Sequence, residues 1–327
     1  MDDSRYGTAD SRGSWTPNDP IRYPEVFVWP PRLSGVLRWL PRYLFPWGVI
    51  YALLASVVWF WLTPPVETMQ SLSAGWILLI LARNAGLTLL IVGGQHLWLY
   101  IRRAQGTAFK YNRKWPDGRH PGFTFGTQVR DNLFWTFFSG LPIWTAWEVT
   151  SLWLYANGHV GTLHFAAHPV WFALLWFCVP LLHEFHFYCV HRLLHWPPLY
   201  RRFHRVHHRN INPGPWSGLS MHPVEHLLYF SGFVIYWIVP AHPLHMMHYS
   251  MMTGLSPAQG HTGFDRVVTG EARSIHLPYY AHYLHHRYFE VNYADGTIPL
   301  DKWFGSFHDG SPEGDELLKR RRGRGRV

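Results

Sequence analysis

Apolar residues fall in long uncharged runs along this chain, not in short alternations. From Tyr43 to Leu62 no residue is charged, and a stretch of about 20 apolar residues is what a helix needs to cross a bilayer core. A second run extends from Leu72 to Ile101 and is broken by Arg83. A third, Asn132 to Leu154, contains Glu148. A fourth covers Phe165 to Leu182. A fifth, Leu227 to Gly260, has Pro240 and Pro243 in its middle, which predicts two short helices folded as a hairpin, shallow or fully spanning. An arginine in mid-bilayer costs about 2.5–3.5 kcal/mol. Arg83 is therefore expected to snorkel, to pair, to face the bundle interior, or to sit near the outer interface. The pattern predicts an all-α integral membrane protein. Its parts are a bundle of about four transmembrane helices, a shallow helical hairpin and a histidine-rich helical cap on the cytosolic side.

The polar stretches divide the chain. Residues 1–40 are polar and proline-rich and read as a flexible cytosolic segment ending in an interfacial stretch. Residues 41–181 hold the transmembrane helices and a basic loop. Residues 182–308 hold most of the histidines, and 309–327 form a basic tail, Lys319-Arg320-Arg321-Arg322-Gly323-Arg324-Gly325-Arg326. Arg102 to Arg130 contains seven Lys and Arg, whereas Thr63–Ser71, Tyr155–His164 and the Pro240–Pro243 turn contain none. With the N-terminus inside, every basic residue except Arg83 falls on the cytosolic side, which is the positive-inside bias. The net charge of +9 then marks a membrane face that meets anionic headgroups, and nucleic acid is not an expected partner. Cys178 and Cys189 are the only cysteines. That excludes a disulfide scaffold and a cysteine-ligated iron–sulfur cluster.

Histidine changes the picture most. There are 23, and 17 lie between His183 and His286. His191 and His195 stand at i and i+4, on one helix face. His204, His207 and His208 have i, i+3, i+4 spacing, as do His282, His285 and His286, so each trio is expected to bring its three imidazoles together. Eight such residues exceed the needs of one tetrahedral zinc and suggest two metals, since neutral imidazole suits iron, zinc and copper. His261 is a further candidate ligand, and His222 a lesser one that could instead orient a ligand. His242, His245 and His248 line the proline turn and read as structural. His186 lies about 140° around a helix from His191 and is expected on another face.

The segment His191-Arg192-Leu193-Leu194-His195, followed by Tyr200 to His208, resembles the histidine boxes of the fatty acid hydroxylase superfamily, which includes sterol desaturases, sterol methyl oxidases and sphingolipid hydroxylases. His222-Pro223-Val224-Glu225-His226, His261-Thr262-Gly263 and His282-x-x-His285-His286 are similar to its later motifs. Asn292-Tyr293-Ala294 and Leu300 to Phe307 are similar to its closing pattern. The likeness covers about Leu182 to Phe307 and leans towards the sterol-desaturase-like branch. Glu184 stands where the family usually has Asp, Tyr188-Cys189 replaces Tyr-Trp, and Asp301-Lys302-Trp303 permutes Trp-Asp. The histidines are intact.

The resemblance implies a membrane-bound non-haem di-iron oxidoreductase that uses O2 and external electrons to hydroxylate or desaturate a bilayer lipid, sterol-like or fatty acyl/sphingoid. Its centre would comprise the eight box histidines, with two iron ions as cofactor and zinc as a substitute metal. No G-x-G-x-x-G marks a flavin or nicotinamide fold, and His120-Pro121-Gly122-Phe123 reads as a loop, not a haem-carrier motif. Electrons are therefore expected from a separate carrier or reductase, for which Arg201, Arg202, Arg205 and Arg209 offer a basic docking face or a headgroup contact. Two other classes compete. A histidine-lined metal transporter would place its ligands near the bilayer midplane, whereas these clusters lie among arginines outside the runs. A haem-binding membrane electron carrier would pair single histidines on facing helices.

Overall fold

The computed structural model describes residues 1–116 and 118–324. Within the predicted basic tail, Gly325, Arg326 and Val327 lie outside the described residues. Helices dominate, accompanied by two short antiparallel hairpins, Gly7–Ala9 with Trp15–Pro17 and Arg266–Val268 with Ser274–His276.

Two helices are long and apolar enough to cross a bilayer, Ala74–Ile101 with 28 residues and Pro169–Leu194 with 26. At about 1.5 Å per residue each exceeds the ~30 Å hydrocarbon core. The second outruns the predicted run, which ends at Leu182. Its last turns carry His191 beyond the apolar stretch and place it at the helix end. The first predicted run is not one straight helix. Its first two residues end the preceding helix Leu33–Leu44 and most of the rest forms Trp47–Trp61, with a bend of 42° between the two helices. Phe45 precedes Pro46 and is extended, with φ −117° and ψ 143°, because the proline ring clashes with a helical residue before it.

The third run lies in an unbroken helix over 128–156, capped by Thr127, whose hydroxyl accepts from the Arg130 amide at 3.3 Å. Along this helix Trp144, Thr145, Glu148 and Leu152 are buried, so it packs inside the bundle. The hairpin forms as the prolines predict, with Pro223–Phe230 and 231–238 on one side and Pro243–Leu255 on the other. Pro243–Leu255 has 13 residues, about 20 Å of rise, which is shorter than the bilayer core. It lies against the Trp47–Trp61 helix and tucks Gly254 under the Trp144 indole, where any Cβ would collide.

Arg83 is buried and paired, with a further donation to the Leu62 carbonyl at the end of the Trp47–Trp61 helix. Its guanidinium meets the Glu148 carboxylate and donates to Asn84 Oδ1 at 2.9 Å. Glu148 also accepts from Ser250 at 3.0 Å, and Ser250 accepts from the Trp144 indole at 2.8 Å. The network ties the 74–101, 128–156 and 243–255 helices together.

The N-terminal segment is not a free tail. Trp15 is 1% exposed and packs with Phe109, Tyr111, Tyr280 and Tyr283. Asp3 pairs with Arg113 at 2.6 Å. A large apolar side chain finds more to bury against this aromatic cluster than in water, which a count of prolines and polar residues does not register. The helix Leu33–Leu44 then presents Leu33, Leu37 and Leu40 outward, in line with the interfacial stretch.

Candidate metal centre

The histidine-bearing elements gather at one end of the Pro169–Leu194 helix: the turn of helix over 200–208, the Pro257–Gly260 turn and the Tyr280–Tyr288 helix. Nine imidazoles sort into two groups. His191, His195, His204, His208 and His285 form one; His207, His261, His282 and His286 form the other. Within each group the ligand atoms lie within 4.8 Å of one another.

The boxes do not converge as whole trios. His204 and His208 enter the first group while His207 turns to the second. His282 and His286 enter the second while His285 turns to the first. Residues four apart share a face, whereas a residue three along points some 60° to the other side of that row. One short helix thus feeds both groups, and the two boxes interleave.

Hydrogen bonds on the far side of four of the nine rings set their tautomers. His191 Nδ1–H donates to the Tyr293 carbonyl at 2.7 Å, His285 to Val291 at 2.6 Å and His261 to Pro257 at 2.7 Å. His204 Nδ1–H donates to Glu225 Oε1 at 2.7 Å. Carbonyl and carboxylate oxygens only accept, so Nδ1 carries the proton and Nε2 of a neutral ring is a lone pair. Burial keeps the rings neutral, pushing His261 down to about 4 and holding His204, His207, His208, His282, His285 and His286 well below the usual histidine range.

These lone pairs face each other. His195 Nε2 stands 3.1 Å from Nε2 of His204, His208 and His285, and a single proton could bridge only one of the three. His261 Nε2 stands 3.0–3.2 Å from Nε2 of His207, His282 and His286. Adjacent nitrogens bound at about 2.0–2.1 Å to one ion are separated by about 3 Å. The donor set therefore fits two imidazole-bound cations.

Other predicted residues stay outside. His222 belongs to neither group. Its Nδ1 accepts from the Val224 amide at 3.2 Å and caps the Pro223–Phe230 helix, with its ring against Phe203. His226 is held by Ser139 and the Leu219 carbonyl. His242 caps the Pro243–Leu255 helix and His245 donates to the Phe172 carbonyl at 3.0 Å. His186 contacts Ser231 and Tyr249. His120 lies in a turn closed by its own backbone bond to Gly126.

Some residues gain roles that their types did not announce. In His222-Pro223-Val224-Glu225-His226 the glutamate, not a histidine, reaches the site. Asp301 accepts from the Tyr293 and Ala294 amides at 2.9 and 2.8 Å and from the Ser306 hydroxyl at 2.6 Å. It buckles the loop whose Tyr293 carbonyl orients His191, so the permuted closing motif acts as a clasp. A narrow cavity adjoins both groups. Its walls are Phe187, Val190, Leu194, Met221 and Tyr229, with His191, His204, His207, His261 and His282 at its polar side.

Residues 176–306 match the fatty acid hydroxylase family model. Over 150 residues the chain is 28% identical to a Delta(7)-sterol 5(6)-desaturase of Gibberella zeae, covering 45% of this chain and 46% of that protein. It is 31% identical over 127 residues to the Delta(7)-sterol 5(6)-desaturase of Saccharomyces cerevisiae, covering 37% and 32%. It is 30% identical over 146 residues to methylsterol monooxygenase 1 of Gallus gallus, covering 42% and 48%. Residues 176–306 are thus a fatty acid hydroxylase region, and the relatives it resembles support the sterol desaturase branch. The match spans half or less of each of these relatives' length. No solved structure matches the chain. The region matched by the family model contains all nine grouped histidines.

Proposed function

We propose that the chain is a di-iron lipid hydroxylase or desaturase that uses O2 and electrons from a separate carrier. The observation that carries this reading is the pair of converging imidazole lone-pair sets beside an apolar cavity. The relatives named for sterol desaturation and methylsterol oxidation favour a sterol-like substrate, with fatty acyl and sphingoid lipids as further members of the class. Iron held there supplies the capacity to reduce O2 and oxidise an unactivated C–H bond. The chain's own contribution is to fix the tautomers through Tyr293, Val291, Pro257 and Glu225, to hold the second box against the first and third, and to keep water from the reacting carbon with Phe187, Leu194 and Met221. Imidazole sites also accept zinc, the expected contaminant of a purified preparation.

Four membrane crossings complete the reading: the bent pair 33–61, then 74–101, 128–156 and 169–194. The N-terminus and the histidine boxes then share the cytosolic side. Arg201, Arg202 and Arg205 are exposed beside the second box and suit an acidic electron carrier, which complementary charge would steer.

Comparative lipid mass spectrometry under ¹⁸O2, in cells with and without the protein, tests the activity together with iron content. Hydroxylation places one heavy oxygen in the product. Desaturation removes two hydrogens and leaves the lipid unlabelled. His207→Ala is expected to abolish either change while membrane insertion persists. Full turnover in that variant, or purified protein free of iron while active, would overturn the proposal.

A further inference from the structure

The second group of imidazoles has a hub, His261, which lies in the bend between the Pro257–Gly260 turn and the Arg266–Val268 strand. Its Nε2 is the atom that stands 3.0–3.2 Å from the other three rings. The bend is braced from outside the region that matches the family model. The loop after the Ala74–Ile101 helix runs beside it as a short antiparallel partner. The Asp265 amide donates to the Phe109 carbonyl at 2.8 Å, and the Tyr111 amide donates to the Gly263 carbonyl at 2.9 Å.

Tyr100 enters the same seam from the end of its helix. Its buried hydroxyl lies 2.7 Å from the Thr262 carbonyl, next to His261, and 2.8 Å from the Pro213 carbonyl, on the chain leaving His208. A hydroxyl has one proton to donate, so the two carbonyls share it and the two stretches are drawn together. The approach is close. Gly263 has φ +75°, and a Cβ there would stand 2.9 Å from both the Pro213 oxygen and the Tyr100 hydroxyl. Lys110 fills the rest of the seam and is fully buried. Its Nζ donates to the Asn112 carbonyl at 2.6 Å and to Asn212 Oδ1 at 3.2 Å, and stands 5.5–5.6 Å from the ring centroids of Tyr100, Trp115 and Phe264. A buried ammonium is costly without hydrogen bonds, and aromatic faces attract it further. Lys110 is thus accommodated when the 212–213 and 262–264 stretches are both in place. The first group takes its anchors elsewhere: His191 from Tyr293, His285 from Val291 and His204 from Glu225.

We propose that Tyr100 and Lys110 are positioning residues for the second cation alone, clamping the chain after His208 against the chain after His261 so that His207 and His261 converge. This rests on the reading of the two imidazole groups as iron sites, and it gives one of them a support that the other does not use.

Release of iron to a chelator reads the clamp without turnover. Purified full-length protein is compared in two backgrounds: His207→Ala, expected to keep first-group iron, and His208→Ala, expected to keep second-group iron. Tyr100→Phe removes one hydroxyl and keeps the ring beside Lys110. Lys110→Met removes both donations at similar length. In the His208→Ala background each is expected to speed release about tenfold. In the His207→Ala background release stays unchanged. Tyr155→Phe is the control for general loosening. It removes a hydroxyl that donates to the Tyr236 carbonyl at 3.3 Å, away from both groups, and should lower the melting temperature without separating the two backgrounds. Equal acceleration in both backgrounds would make the seam a general support, and no acceleration in either would disconnect it from the metal; each overturns the clamp. The same release is measured on zinc-loaded protein. A zinc asymmetry in protein that takes up no iron would keep the clamp and remove the di-iron reading. Iron in both groups without the asymmetry would do the reverse.

Discussion

His207 and His208 are adjacent in sequence yet serve different groups, and this is the sharpest consequence of the structure at the scale of single residues. His208→Ala removes a ligand candidate from the first group and His207→Ala from the second. Each is expected to lower bound iron from about two per chain towards about one, with the double variant near none, as read by metal analysis of purified protein. Unchanged iron in either single variant would break the assignment. His242→Ala is the matched control. Its Nδ1 caps a helix at the far end of the hairpin, so iron should stay constant while stability falls by about 1 kcal/mol. The boxes were legible in the sequence because i, i+4 spacing is a local property of a helix. The division of each trio was not, because it depends on which face of the 280–288 helix meets which face of the 200–208 turn. Glu225 was hidden for a similar reason: it lies four residues before Tyr229 in a segment where the histidines drew attention, and only the third dimension brings it to His204.

At the scale of elements, the apolar runs located the helices well and their joints less well. The run from Tyr43 to Leu62 hides a bend because Pro46 carries no charge and so does not interrupt a hydropathy pattern. Arg83 and Glu148 each looked like a flaw in a separate run, and together they form the bolt between two helices. Removing one partner of a buried pair leaves the other charge stranded. Glu148→Ala is accordingly expected to cost about 3–5 kcal/mol, seen as a lower melting temperature of the detergent-solubilised protein. Glu148→Gln keeps acceptors for Asn84 and Ser250 but not the charge, and Arg83→Met with Glu148→Leu removes both charges. The paired apolar variant should recover most of the stability lost in Glu148→Ala. Equal melting of Glu148→Ala and the unchanged protein would show that the network bears no weight.

The whole molecule couples segments that sequence distance separates. Trp15, Phe109, Tyr111, Tyr280 and Tyr283 share one buried cluster, so the N-terminal hairpin, the loop after the 74–101 helix and the third histidine box must lie on one side of the membrane. An even number of crossings therefore separates each from the next, and the proposed four crossings satisfy that parity. Side-specific labelling tests it. In a background with Cys178 and Cys189 replaced by serine, Ser11→Cys and Glu271→Cys place thiols at exposed positions on the clustered side, and His159→Cys places one in the turn at the opposite end. A membrane-impermeant maleimide added to sealed vesicles with the cytosolic face inward should modify His159→Cys and spare the other two until the vesicles are opened. Reversal of all three would invert the proposed orientation while keeping the parity. Labelling of Ser11→Cys and Glu271→Cys from different sides would contradict the cluster itself. Trp15→Ala sharpens the result. Losing a fully buried indole costs about 3–5 kcal/mol, and because Trp15 packs on Tyr280 and Tyr283 of the helix that carries His282, His285 and His286, that variant should lower bound iron as well as thermal stability, whereas retention of both would show that the N-terminal segment does not support the third box.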